Sequence, residues 1–287
     1  MSERLFAVIG HPIGHTMSPF IHQRLFDLSG EQGNYTVIDI SPEKLKESMK
    51  ELDSLCGYNI TIPHKQSIIP LLDELDPKAQ MYGSVNTVRN GERRKGFTTD
   101  PDGFLKALEH AGIPLKGRTV IVGCGGVART FAYEAALAGC ELTVAVRPDD
   151  VQAAAGLSDE IKGRIEKANI NTCLINSLSE RNMSIDLLVN ATPVGMYPHT
   201  DEMPVDDRVL SRCENVFDAV YNPLKTVLVS KALANGSAAM GGMSMLVCQA
   251  AVAHEIWDGS FYKGEDIDQL ILDSADELKK RFLSVRA

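Results

Sequence analysis

No cysteine in this chain belongs to a Cys-x-x-Cys pair. The cysteines are Cys56, Cys124, Cys140, Cys173, Cys213 and Cys248, and none shares its neighbourhood with a histidine cluster. That spacing points to neither a zinc site nor a disulfide framework, so reduced, buried thiols are expected. Long apolar runs are missing as well. Nothing approaches the ~18 consecutive apolar residues of a membrane span, and the run Leu5–Ile9 is too brief for a secretory signal core, so a cytoplasmic location is expected. Positive charge is in deficit: 29 Lys and Arg face 38 Asp and Glu, a net charge of −9. This balance disfavours bulk binding to nucleic acid or anionic membrane, while a local basic pocket for an anionic ligand survives it. The 287 residues are 44% apolar and 23% charged, which suits one or two globular domains and is too hydrophobic for disorder.

Strand and helix signals alternate from the start. Arg4–Ile9 reads as a strand closed by Gly10 and Pro12, and Ser18-Pro19 supplies an N-cap with proline behind it. The helix that follows has Ile21, Leu25, Phe26 and Leu28 on one broad face. Tyr35–Ile40 and Tyr58–Ile62 are the next strands, with a helix opened by Ser41-Pro42-Glu43 between them and another behind Pro63. This alternation predicts a mostly parallel sheet. Val85–Val88 and Arg94–Phe97 flank Asn90-Gly91, a hairpin signal. After residues 112–117 the pattern restarts with strands at Thr119–Val122, Leu142–Val146, Ile185–Val189 and Asn215–Ala219 and a helix through Phe131–Ala138. Ser244–Trp257 and Ile267–Val285 read as closing helices, the second apolar at Leu270, Ile271, Ala275, Leu278 and Phe282. The expected fold is α/β with two domains: 1–103 with the closing segment 238–287 packed back on it, and 104–237 as a Rossmann-type doubly wound unit.

The stretch GCGGVAR (123–129) fits G-x-G-x-x-G/A at Gly123, Gly125 and Ala128, between a strand and a helix. The first glycine permits a tight turn, the second lets backbone approach a pyrophosphate, and the small third residue lets helix meet strand. A tight strand-to-helix turn alone would satisfy the same pattern, but the βαβ context on both sides favours a dinucleotide. The next strand ends in Arg147, where arginine suits the 2′-phosphate of NADP and an acid suits the ribose of NAD. NADP is favoured; Asp149 and Asp150 keep NAD open.

Polar residues gather where the strands of the first unit end: His15 to Ser18, Asn59 to Lys65, Asn86-Thr87, and Thr98 to Asp100. Hydroxyls and amides of this kind suit a ligand that bears a carboxylate and several hydroxyls. Lys65 would lie in the first turn of a helix, where an amine can exchange a proton with an alcohol. Each residue also has a plainer reading. Ser18 and Asp100 precede prolines and would serve as N-caps, Lys65 would be a solvated lysine, and Asn59 and Asn86 turn formers. His11, His15, His22 and His64 are scattered without metal spacing, and no metal is expected.

Taken in order, GHPIGHTMSP (10–19), GYNITIPHK (57–65), GSVNT (83–87), GFTTDPDG (96–103), GCGGVAR (123–129), NATPVG (190–195), DAVYNP (218–223) and GMSMLVCQ (242–249) resemble the signatures of the shikimate dehydrogenase family. The resemblance spans nearly the whole chain, and the block 59–65 is far more specific than the glycine turn. It implies reduction of 3-dehydroshikimate to shikimate with NADPH, in aromatic amino-acid biosynthesis. It also implies that Lys65 and Asp100 are the catalytic pair, and that Thr16 and Ser18 hold the substrate carboxylate. Asn59, Thr61, Asn86, Tyr221 and Gln249 would be the remaining substrate contacts. Gly123, Gly125, Gly126 and Val127 would form the phosphate turn, Arg147 the adenosine-phosphate reader, and Ala219 and Gly242 the nicotinamide end. Three positions depart from the family pattern. Thr16 stands in place of serine, Val146 and Pro148 flank Arg147 in place of asparagine and threonine, and Thr98 replaces asparagine. The first bears on shikimate against quinate and the second on NADP against NAD. A quinate or quinate/shikimate enzyme preferring NAD is therefore the nearer alternative, and a non-catalytic nucleotide or cyclic-acid sensor the more distant one. A homodimer is compatible with the sequence.

Overall fold

The computed structural model describes residues 4–14 and 16–285, with side chains to residue 281; His15 and Phe282 of the expectations above lie outside what is described. The first part of the chain runs β1 (Leu5–Gly10), α1 (Ser18–Ser29), β2 (Asn34–Asp39), α2 (Leu45–Leu52), β3 (Gly57–Ile60) and α3 (His64–Ser67). It continues through β4 (Glu74–Leu75), α4 (Pro77–Tyr82), β5 (Thr87–Arg89), β6 (Lys95–Phe97) and α5 (Asp100–His110). Next come β7 (Arg118–Val122), α6 (Gly126–Leu137), β8 (Glu141–Val146), α7 (Val151–Arg164) and β9 (Asn169–Leu174). The last stretch is β10 (Ile185–Asn190), α8 (Asp207–Leu210), β11 (Cys213–Asp218), α9 (Val227–Ala234), β12 (Ala238–Met240), α10 (Met243–Asp258) and α11 (Gly264–Val285). These elements form two compact units, one built from the chain up to Gly103 together with the segment from Val247 onward, the other from Phe104–Leu246. The second crossing falls later than residue 238 because Ala238–Met240 pairs with β11 as the last strand of the second sheet.

The first unit holds a sheet of order β2-β1-β3-β5-β6-β4. β1 pairs in parallel with both β2 and β3, yet β5 is antiparallel to β3 and to β6. The sheet is mostly parallel, as the alternation predicts; β5 alone runs against the rest, and the short loop 90–94 can return the chain from it to β6 only antiparallel. The hairpin exists, but its turn is longer than Asn90-Gly91; the Asn90 amide instead donates to the carbonyls of Leu52 (2.7 Å) and Leu55 (2.9 Å). β1 is apolar throughout because both its faces are covered. Phe6 and Val8 pack with Phe26, Tyr35 and Trp257, whereas Ala7 and Ile9 pack with Leu45, Met49, Tyr58 and Ile68.

The second unit holds a parallel sheet of order β12-β11-β10-β7-β8-β9. Counted within the unit, that is the 3-2-1-4-5-6 order of doubly wound sheets, reversing between β7 and β10. Its core includes Phe104, Phe131 and Phe217, the first two stacked at 4.2 Å and Phe217 set edge-on to both. The sequence reading passed over β9 and β12, edge strands whose half-covered faces carry mixed composition, and α7, whose Ala154, Leu157, Ser158 and Ile161 form the buried stripe. All six cysteines are free thiols. Among the described residues no helix is long and apolar enough to cross a membrane, and no group of three or more His, Cys, Asp or Glu could hold a metal.

Candidate active site

In the first unit one sheet edge collects the polar side chains. β1, β3 and β6 arrive there by their carboxyl ends; β5, running the other way, arrives by its amino end. The register places Asn59 opposite Thr87, and Thr87 opposite Phe97. Asn86, just before β5, is clamped by backbone on both sides: its N–H donates to Phe97 O (3.0 Å) and its carbonyl accepts from Ile60 N (2.8 Å).

Lys65 and Asp100, far apart in sequence, meet here. Lys65 Nζ donates to Asp100 Oδ2 at 2.7 Å, with side chains only 11% and 1% exposed. At that burial the pair is far less screened than a surface ion pair, and removing one partner would strand a charge. Asp100 Oδ1 accepts from Asn86 Nδ2 at 3.0 Å, and the same amide nitrogen reaches Thr99 Oγ1 (3.0 Å) and Gln249 Oε1 (3.4 Å). Asn86 Oδ1 accepts from Thr99 N (2.7 Å) and Thr87 Oγ1 (3.2 Å). The N-cap reading of Asp100 is thereby replaced: α5 starts at Asp100 itself, and its carboxylate is taken by Lys65 and Asn86. Ser18 is likewise not an N-cap. Met17 holds that position, no side chain caps α1, and Ser18 is the first helical residue. Thr16 Oγ1 donates to Ser18 Oγ (3.0 Å) and accepts from Ser18 N (3.1 Å), so the two hydroxyls lie side by side. Asn59 Nδ2 donates to Thr87 Oγ1 (3.0 Å) and Asn86 O (3.3 Å). Thr61 follows β3, its N–H bonded to Ile9 O at 2.9 Å. His64 is buried with Nε2 2.6 Å from Ile40 O, a structural contact.

In the second unit the glycine turn leaves β7 at the reversal of strand order, where open α/β sheets bind ligands. Gly123 has φ +105°, and a Cβ there would lie 2.9 Å from the Thr192 methyl and 3.2 Å from Ala191 O on the loop after β10. Gly125 is the N-cap of α6, with extended backbone, and a Cβ added to it would meet nothing within 4 Å. No side chain caps α6, so the N–H groups of Gly126 and Val127 and the positive end of the dipole are left for an anion. Ala128 is fully buried, as close helix–strand packing requires. This cradle fits the pyrophosphate of a dinucleotide. Partial burial and nearby Asp150 push up the thiol of Cys124, inside the turn, which favours its protonated form. Arg147 follows β8, and its Nε and Nη2 bond Asp150 Oδ2 at 3.1 and 2.9 Å. The sequence reading weighed Asp150 as a competitor for the ribose and did not foresee that it would hold the arginine.

After β11 the loop bearing Ala219 and Tyr221 is braced by Asp218, which sequence reasoning left without a role. Its Oδ1 accepts from Asn190 Nδ2 (2.9 Å) and Val220 N (3.0 Å), and Oδ2 from Thr226 Oγ1 (2.6 Å). Gly242 N donates to Val220 O at 3.0 Å, and the Ala219 backbone occupies the space a Cβ of Gly242 would need. Burial pushes the Tyr221 phenol up. Burial also raises Asp218 to about 6, against the pull of its three donors. Between pH 3.8 and 6 the native chain therefore holds a proton that the unfolded chain has released, and stability falls as pH rises through that window. Relative to Asp218→Asn, which cannot ionise, the parent chain should lose about 2–3 kcal/mol between pH 4 and pH 7. Denaturant melts of both proteins at pH 4, 5 and 7 measure this; parallel profiles would refute it.

Residues 8–88 match the family model for the shikimate dehydrogenase substrate binding domain. The NADP(+) shikimate dehydrogenase of Caldanaerobacter subterraneus subsp. tengcongensis is 35% identical over 91% of this chain and 94% of its own length. That of Moorella thermoacetica is 37% identical over 90% and 89%. Among solved structures, the shikimate 5-dehydrogenase of Thermus thermophilus, in complex with NADP(H) and shikimate, aligns with a TM-score of 0.83 at 33% identity, covering 94% of this chain and 99% of that one.

Proposed function

The chain belongs to the shikimate dehydrogenase family, and from that premise we propose that it catalyses the reversible, NADP-dependent reduction of 3-dehydroshikimate to shikimate. The observation that carries this reading is the buried 2.7 Å pair of Lys65 and Asp100, set in a ring of amides and hydroxyls. Thr16 and Ser18 hold the substrate carboxylate; Asn59, Thr61, Asn86, Tyr221 and Gln249 hold its hydroxyls. Gly123, Gly125, Gly126 and Val127 cradle the pyrophosphate, Arg147 meets the 2′-phosphate, and Ala219 and Gly242 line the nicotinamide end. NADPH, when bound, supplies the hydride. In the reducing direction Lys65, as ammonium, gives its proton to the substrate oxygen as that oxygen becomes an alkoxide. In the oxidising direction the neutral amine takes the proton back. Asp100 Oδ2 aims Nζ, and Asn86 holds the other carboxylate oxygen so that Asp100 cannot turn away. General acid–base help of this kind contributes ~10²–10⁴-fold.

Side-by-side oxidation of shikimate and quinate with NADP and NAD tests the proposal. Shikimate with NADP should give the highest kcat/KM, and no turnover with any combination would leave only a binding protein. One feature favours a second reading, a quinate or quinate/shikimate enzyme using NAD: Asp150 already occupies Arg147. That pair is exposed, with the arginine side chain 72% accessible, and solvent screening leaves such pairs little net strength, so a phosphate dianion can displace the carboxylate. Arg147→Gln should raise the KM for NADP about tenfold and leave that for NAD little changed. Equal constants in parent and variant would remove Arg147 from the role.

A further inference from the structure

Between the hydroxyl pair of Thr16 and Ser18 and the amides of Asn59 and Asn86 stands a tyrosine that none of the sequence motifs contains. Tyr35 is the second residue of β2, opposite Phe6 of β1, and is 7% exposed. Its ring stacks on His22 with centroids 4.0 Å apart and planes 5° from parallel. His22 is pinned in turn, its Nδ1 3.0 Å from His254 Nε2, and Trp257 flanks the stack. The ring has no freedom to swing.

The phenol lies 2.6 Å from Asn59 Oδ1, and the Ser18 side chain is near enough to draw its titration down against the larger upward push of burial. The direction of the bond to Asn59 follows from donor accounting. Asn59 must present its NH2 toward Asn86 O, which can only accept, so its Oδ1 faces Tyr35 and can only accept there. The phenol proton therefore goes to Asn59, which leaves the phenol oxygen an acceptor toward Ser18. Beyond Asn59 the chain continues through Thr87 Oγ1 to Asn86 Oδ1, and through Asn86 Nδ2 to Asp100. Every proton from the phenol onward points toward the carboxylate that holds Lys65.

We propose that Tyr35 is a positioning residue for the substrate, its phenol orienting the Asn59 amide and offering an acceptor beside the Ser18 hydroxyl that grips the carboxylate. The inference rests on the shikimate reading of the site. When an incoming carboxylate draws the Ser18 proton to itself, the phenol still donates to Asn59, so the amide does not rotate and the line to Asp100 is kept.

Tyr35→Phe tests this, because it removes one oxygen and leaves the ring on His22. Shikimate Kd and KM should rise about five- to twentyfold, chiefly from the acceptor left unpaired on Asn59. The turnover number and the Kd for NADP should change less than twofold, whereas a merely structural role would move those and the melting temperature together. In an Asn59→Ala background the same substitution should change shikimate Kd less than twofold, since its main route of action is gone. A parent chain that neither binds nor oxidises shikimate overturns the proposed function and this inference together. A parent chain that does both, with Tyr35→Phe binding shikimate within twofold of it, overturns the role of Tyr35 alone. Should the phenylalanine variant fail to fold, 3-fluorotyrosine placed at position 35 keeps ring and hydroxyl but alters the donor strength. A shikimate Kd shifted at least twofold is then expected, and an unshifted one overturns the proposal.

Discussion

Lys65→Ala should lower kcat by at least ~10²-fold while changing the KM for shikimate far less. The reasoning is that the amine serves the transition state, where the substrate oxygen gains or loses its proton, more than it serves ground-state binding. Binding is spread over hydroxyls and amides that the substitution leaves in place. A second consequence is thermodynamic. Asp100 is 1% exposed, and without Lys65 its carboxylate keeps only the Asn86 amide. Breaking a buried pair typically costs ~3–5 kcal/mol, so the alanine variant should also melt earlier, and its kinetics belong well below that temperature. Lys65→Arg separates the two effects. It keeps a cation beside Asp100 and should recover part of the stability, but a guanidinium does not give up its proton and kcat should stay low. Parent-like turnover in Lys65→Ala would remove the lysine from the chemistry.

Gly125→Val should weaken NADP binding by ~10²-fold or more without disturbing the fold or shikimate binding. Gly125 has φ −70° and ψ −176°, a conformation any residue adopts, and a Cβ there meets nothing within 4 Å. The folded chain therefore has no use for this glycine. Its emptiness matters only to a ligand that must bring charged oxygens up to the first N–H groups of α6. Two backbone bonds to a charged group, at ~1.5–3 kcal/mol each, set the scale of the loss. Gly123→Ala makes the contrast. There φ is +105° and the new methyl would press on Thr192, so that variant should lose stability as well as cofactor. Calorimetric titration with NADP beside a thermal melt decides both cases; unchanged NADP affinity in Gly125→Val would move the pyrophosphate elsewhere.

How much of this was legible beforehand differs between the units. The second unit centres on four buried parallel strands, β7, β8, β10 and β11, rich in Val, Ile and Leu, so these and the glycine turn could be read directly, whereas the edge strands β9 and β12 could not. In the first unit the alternation predicted a mostly parallel sheet and Asn90-Gly91 a hairpin, and both are present. What no local pattern fixed is that β5 lies between β3 and β6, which brings Asn86 to the same edge as Asn59 and Asp100. Ser18 and Asp100 show the limit at single residues. Beside proline each looks like a helix cap, and only partners 35 residues away or across a loop show what the Asp100 carboxylate does. Tyr35 carried no motif, and Asp218 opened DAVYNP without a role of its own. Tyr35 reads as one aromatic of an alternating strand, and Asp218 as the acid that ends another.

What the amino-acid order determined alone is the set of elements and the chemistry available to them: two α/β units, a turn of small residues, an amine, an acid and a ring of amides. Those follow from backbone propensity and side-chain type, which act within a few residues. Tertiary structure decided which of these groups meet. Hydrogen bonds form only within about 3 Å, and no local pattern fixes that distance between residues thirty or two hundred positions apart. The Lys65–Asp100 pair and the line of donors through Tyr35 exist because sheet register put their atoms in reach.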